Sequence, residues 1–220
     1  MDAQARQQHD YQQAATGLVA DLKVAGFDID RLRELRRPGV GDPGAVPILV
    51  DWLSRATSVP LKCDIAYVLG SRWARPDGAV ALIDEYQRLD DECDGCAARV
   101  RAAICTSLER IADDAVLEEL CQIALDPRHG SQRGMAIVAL GNMRRSRGRA
   151  LEVLLSLLRD ENVALFAVLG LVKLDAREEA LRPIALLTGH RNPVVRHVAR
   201  RAVARWSTPP VAQTSHTGPR

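Results

Sequence analysis

The stretches RGRALEVLLSLLRDENVALFAVLGLVKL (147–174) and AREEALRPIALLTGHRNPVVRHVARRAVARW (176–206) are two copies of one pattern. Ala150-Leu151 aligns with Ala180-Leu181, and Leu151, Leu154, Leu155 and Leu158 answer to Leu181, Ile184, Ala185 and Thr188. That is the i, i+3, i+4, i+7 spacing of a half-buried helix. A short polar turn follows in each copy (159–162 and 189–193), then a second apolar helix. A helix pair that recurs at near-constant spacing predicts an all-α chain built as an α-solenoid, each pair burying its apolar side against the next.

The same unit continues upstream. Starting alanines at 45, 79, 115, 150 and 180 are separated by 34, 36, 35 and 30 residues. The first unit has Val46, Leu49, Val50 and Leu53, then a second helix over Pro60–Gly70. The second has Leu82, Ile83 and Tyr86, then an acidic insertion (90–96) and a helix over Ala97–Ile111. The third has Val116, Leu120 and Ile123 and returns through Ser131 to Met143. Ahead of these, helical periodicity starts near Tyr11, runs through Leu18 and Leu22, and stops at Gly26. Asp28-Ile-Asp30 is then expected to cap a short helix holding Leu32 and Leu35. The division expected is an N-terminal helical cap (1–41), a repeat domain (42–206) and a disordered tail (207–220). A stack open at its ends needs a terminal unit with a polar outer face.

Hydrophobic residues make up 47% of the chain but aromatics only 4%, so alanine, leucine and valine must do the packing. A net charge of +2 gives no overall bias toward nucleic acid or membrane. Of the 30 basic residues all but Lys23, Lys62 and Lys173 are arginine, whose planar fork suits carboxylate and phosphate. The first ten residues lack the apolar segment of a secretory signal, and the longest apolar run, Val163–Val172, is about half a membrane span. Five cysteines without framework spacing predict a reduced, cytoplasmic chain.

The second-helix endings Tyr67-Val-Leu-Gly70, Val138-Ala-Leu-Gly141 and Ala167-Val-Leu-Gly170 resemble the Ala-Leu-Gly step of bacterial HEAT-like repeats. Asn192-Pro-Val-Val-Arg196 resembles the opening of a HEAT second helix. The second unit departs from the pattern, with Ser107-Leu108-Glu109 in place of the step, and its insertion is expected to bend or bulge the stack. The resemblance implies a right-handed α-solenoid of about five HEAT-like helix pairs, and a binding surface rather than a reaction. It carries over no catalytic residue.

Cys93-Asp-Gly-Cys96 has metal-ligand spacing, but zinc needs two more ligands, and Cys105 and Cys121 fall at apolar helical positions. A redox dithiol is the other chemical reading. The acidic neighbours Asp90, Asp91, Glu92 and Asp94 disfavour a thiolate, so an incidental pair is preferred and no metal or cofactor is expected. His129 and His190 occupy equivalent turns 61 residues apart and are read as turn residues. No nucleophile elbow, phosphate loop or zinc-protease motif is present.

Binding candidates are more numerous. Arg144, Arg145, Arg147 and Arg149 crowd one loop, and Arg196, Arg200, Arg201 and Arg205 share one helix. Either set is a candidate anion-binding ridge, or a solvated charged face. The wholly apolar Val163–Val172 helix is expected to be sandwiched between neighbouring units, or to expose Phe166 as a docking point. Second helices line the concave face of a HEAT-like stack, which makes Arg99, Arg101, Arg133 and Arg196 candidate exposed contacts.

The function expected is non-enzymatic: a protein-protein interaction scaffold, with an inhibitor or immunity-type role as one form of it. The alternative is a nucleic-acid binder similar to alkylpurine DNA glycosylases, which needs a basic groove with exposed tryptophans, and Trp73 is expected to be partly exposed. A weaker alternative is a subunit similar to bilin lyases. A protein partner is expected, with nucleic acid and membrane disfavoured.

Overall fold

The computed structural model describes residues 3–89 and 95–207. The described residues are all-α, with eleven α-helices joined by turns and short 3₁₀ segments and no strand among them. Helix α1 (Ala3–Val24) is followed by a 3₁₀ segment (Leu32–Arg36). Five consecutive pairs follow: α2 (Val46–Arg55) and α3 (Val59–Leu69); α4 (Asp77–Arg88) and α5 (Cys96–Ile111); α6 (Leu117–Leu125) and α7 (Gly134–Ala139); α8 (Arg147–Leu157) and α9 (Ala164–Leu174); α10 (Arg177–Leu186) and α11 (Pro193–Ser207).

The two helices of each pair pack on each other, and the second helices also pack in sequence: α3 on α5, α5 on α7, α7 on α9 and α9 on α11. Among the first helices, α2 meets α4 and α6 meets α8. Helix α1 and the 3₁₀ segment lie against the first pair. One apolar cluster runs from Leu18 to Trp206 through every pair.

Side-chain caps start many of these segments. Asp42, Asp113, Asp126 and Asp160 each accept the backbone N–H two residues on (Gly44 at 2.6 Å; Ala115, Arg128 and Asn162 at 3.0 Å), and Asn192 does the same for Val194 at 2.9 Å. Such a turn satisfies one of the N–H groups that a helix start leaves without a partner. Glycines then let the second helices touch. A Cβ on Gly141 would lie 2.7 Å from the Gly170 carbonyl oxygen, and one on Gly170 would lie 3.0 Å from that of Ile137. The Gly of the Val/Ala-Leu-Gly step thus allows backbone to approach backbone between neighbours.

Several local expectations shift. Helix α1 begins at Ala3 rather than near Tyr11, because Ala, Gln and Arg are good helix formers even without an apolar stripe. Asp30 does not cap the following segment. Arg31 holds that position, and the Asp30 carboxylate accepts from Lys23 at 2.8 Å. The second helix of the third unit is only six residues long, preceded by a 3₁₀ run (Pro127–Arg133) that breaks at Gly130 with φ 48°. Residues 90–94, with Cys93 among them, and the tail 208–220 lie outside the described residues.

Helix α9 is flanked by α7 and α11, as its apolar composition requires. Ala164, Ala167, Val168, Gly170, Leu171 and Leu174 are buried, while Leu165, Phe166 and Val172 are half-buried and Leu169 is 37% exposed.

Two glycine substitutions separate close packing from propensity. Gly141→Ala drives a methyl into the backbone of α9 and is expected to cost about 1–3 kcal/mol. Gly148→Ala lies in a helix with nothing within 4 Å and is expected to gain about 0.5–1 kcal/mol. Urea denaturation followed by circular dichroism reads both.

Candidate interaction surface

Two of the arginines expected to be exposed are interior. Arg133 is 1% exposed. Its Nε donates to the Gly130 carbonyl at 3.1 Å, Nη1 donates to the Ala124 carbonyl, and Nη2 pairs with the Asp160 carboxylate. It closes the end of α6 and ties the third pair to the fourth. Arg101 is also buried; it donates to the Leu89 carbonyl at 2.6 Å and lies 5.7 Å from the Tyr86 ring centre. Neither is available as a surface contact. Both are buried because their guanidinium groups satisfy carbonyls at the ends of short helices, which otherwise lack donors. Arg99 is exposed as expected.

The arginine loop is largely wired into the fold. Arg144 donates to the Leu174 and Lys173 carbonyls at 3.3 and 3.2 Å, closing the end of α9. Arg147 forms a two-bonded pair with Glu179 of α10 (2.6 and 3.0 Å). Arg149 pairs with Glu152 at 3.0 Å and approaches Glu118 of α6 at 3.9 Å. The exposed guanidinium of Arg145 makes no ion pair among the described residues; its backbone N–H and that of Ser146 are held by Asp114. On α11, Arg196 donates to the His190 carbonyl at 2.8 Å and Arg200 to the Thr188 carbonyl at 3.2 Å. Neither set therefore forms a ridge of free guanidinium groups: Arg144, Arg147 and Arg149 in the loop, and Arg196 and Arg200 on α11, are engaged within the fold.

Other polar groups that the repeat pattern did not single out also join pairs. Lys62 pairs with Glu85, which is 2% exposed, and Lys173 reaches from α9 to Glu109 on α5. All three lysines are in ion pairs, the third being Lys23 with Asp30. The one sequence signal for this was their scarcity.

A polar cleft of about 260 Å³ is lined by Tyr86 of α4, Arg101 of α5, Gln122 of α6, and Asp126, Arg128 and His129 of the turn that follows α6. Arg128 chelates Asp126 through two nitrogens, and His129 sits edge-on to Tyr86 at 5.6 Å. The Arg128 guanidinium holds the Asp126 carboxyl down at about 2. Burial drives the Cys105 thiol up to about 12 and also raises Cys121. Cys96 is exposed at the first turn of α5. Among the described residues no group of three His, Cys, Asp or Glu side chains is placed to hold a metal ion.

The tryptophans serve the scaffold. Trp52 donates to Asp21 at 2.8 Å beneath Arg55, half-buried Trp73 donates to the Leu35 carbonyl at 3.0 Å, and Trp206 is buried. Phe166 covers Gly134, its ring standing where a side chain at 134 would be, so much of it is packing. Beside it, α9 and α11 enclose a groove of about 520 Å³ lined by Leu169, Val172, Val198, Arg201, Ala202, Ala204 and Arg205. A comparable groove of about 500 Å³ lies between α8 and α10, lined by Leu155, Leu158, Arg159, Arg182 and Leu186.

No protein-family model matches the chain, and no curated protein matches it.

Arg133→Met keeps the bulk but leaves two carbonyls and the Asp160 charge without their partner; a loss of about 2–4 kcal/mol is expected. Arg145→Ala, by contrast, should stay within about 0.5 kcal/mol in the same denaturation experiment. Acid should expose Asp126. Its lowered folded pKa gives stability that is present above pH about 4 and fades as pH falls toward about 2. The partner Arg128 side chain is 72% exposed and solvent screens the pair, so the effect is under about 1 kcal/mol, and Asp126→Asn should flatten that part of the acid-unfolding curve.

Proposed function

We propose that the chain is a non-enzymatic α-solenoid of HEAT-like helix pairs that binds a partner protein through its row of second helices. In this reading residues 1–41 form the cap on the first pair and 42–206 the repeat domain. The serial packing of α3, α5, α7, α9 and α11 supports the architecture, as do the recurring side-chain caps and the glycine contacts between neighbours.

One observation carries the binding assignment. Phe166, Leu169 and Val172 present a half-exposed apolar stripe on α9, beside Val198, Arg201 and Arg205 on one face of α11. Apolar side chains bordered by arginines are the composition of interface hot spots. A rigid stack loses little entropy when a partner docks. The buried groups Cys105 and Arg133 fit a scaffold, being enclosed by packing rather than aimed at a reacting group.

The nucleic-acid reading draws on the excess of arginine between 177 and 207, where seven arginines face two glutamates. It is disfavoured because Arg196 and Arg200 already hold carbonyls, and Trp206, the aromatic residue of α11, is buried. Single-strand binding uses exposed stacking platforms.

The test is a tagged pull-down from native lysate, with and without nuclease, read by mass spectrometry. One stoichiometric protein that survives nuclease and is lost with Leu169→Glu is the expected result. Recovery of nucleic acid, with proteins lost after nuclease, would overturn the assignment.

A further inference from the structure

We infer that the groove between α9 and α11 takes an acidic amphipathic helix of another protein, its apolar stripe on Leu169, Val172 and Val198 and its carboxylates on Arg201 and Arg205. This rests on the protein-binding reading above and names the chemistry of the partner.

The occupant is set by charge. Helix α11 carries Arg196, Arg200, Arg201 and Arg205 and no acidic residue. Two of the four are satisfied by carbonyls of the preceding turn, at His190 and Thr188. The other two, Arg201 and Arg205, line the groove and meet no carboxylate among the described residues. They are exposed and one helical turn apart, so each repels the other until an anion lies between or beside them. Their separation along the axis, about 6 Å, is the rise between residues four apart on any helix. A partner helix with Glu at i and i+4 therefore presents its charges in register. Arginine accepts carboxylate through two parallel hydrogen bonds, which fixes orientation as well as adding attraction.

The floor selects against a plain polyanion. Leu169, Val172, Val198 and Ala202 are aliphatic and offer neither a hydrogen-bond donor nor an aromatic face to a base or phosphate. Apolar side chains of a partner bury well there, in the helix-in-groove mode. The groove between α8 and α10 is less suited, because its two arginines, Arg159 and Arg182, come from a turn and a separate helix rather than from one helix face four residues apart, and α10 also carries Glu178 and Glu179. On α11 the sign is uniform.

The probe is a fluorescein-labelled peptide of about 16 residues, with Leu along one stripe and Glu flanking it at i, i+4. Matched peptides carry Gln or Lys in place of Glu. Anisotropy titrations use the full chain and the double variant Arg201→Glu/Arg205→Glu. Both positions are exposed, so the variant's thermal midpoint should match the parent's. The Glu peptide is expected to bind at least about tenfold more tightly than the Gln peptide, a difference of about 1.4 kcal/mol. Its affinity should fall as salt rises from about 50 to 300 mM, and charge reversal should abolish it while creating binding of the Lys peptide.

Equal affinity for the Glu and Gln peptides overturns the proposal, as does Glu-peptide binding that the reversal leaves intact. Complete displacement by single-stranded DNA of equal charge at equal concentration assigns the arginines to nucleic acid instead. Binding that emerges only when residues 208–220 are removed assigns the groove to the chain's own C-terminal segment. Peptide failure alongside a nuclease-resistant partner overturns the groove alone; failure of both removes the scaffold reading with it.

Discussion

Short helices end often, and each end leaves carbonyls that no further turn of helix can satisfy. This chain meets that constraint with arginine. Arg75 donates to the carbonyl of Arg110, Arg101 to Leu89, Arg133 to Ala124, Arg144 to Leu174, Arg196 to His190 and Arg200 to Thr188. Each contact also places positive charge at the negative end of a helix or in the turn that follows it. Arginine suits the task because its five donors span more than one acceptor, and its long stem packs on apolar neighbours while the head bonds. Arginines that close helix ends in this way are engaged within the fold and are not free to meet a partner.

Polar contacts also couple the pairs. Glycine lets the second helices approach backbone to backbone at Gly141 and Gly170, and at Gly134 it makes room for the Phe166 ring. Between different pairs run Lys62–Glu85 (α3 to α4), Lys173–Glu109 (α9 to α5), Arg133–Asp160 (turn to turn) and Arg147–Glu179 (α8 to α10). A half-buried ion pair is sensitive to geometry, since removing one partner leaves the other charge desolvated. Neighbouring pairs are therefore fixed in register by charge as well as by apolar area.

The helices themselves were legible because burial follows period. Leu154 and Ile184, matched in the two quoted copies, are both fully buried, as are Ala150 and Ala180. At the start of the chain a local bond outweighs the pattern: Asp30 answers to Lys23 rather than to a helix start. The candidate site was much less legible. A sequence shows that Arg133 or Arg196 carries charge, but not that a carbonyl nine or six residues earlier lies within its reach. Helical spacing gives the face of a helix, whereas the partners of a long side chain depend on how the turns fold back. The groove between α9 and α11 involves positions from two helices and follows from neither alone.

The free arginines are unevenly placed, and that asymmetry follows from position in the chain. In the middle of the stack an arginine at the edge of a pair finds glutamates on the next first helix, as Arg147 finds Glu179. Helix α11 has no following pair among the described residues to supply such a carboxylate. Its own sequence has none, and the glutamates of α10 lie in that helix's first turn, with Glu179 already held by Arg147. Arg201 and Arg205 therefore keep their charge facing solvent beside an aliphatic groove. On a helix that carries four arginines and no carboxylate of its own, matching from outside is the route left to these two.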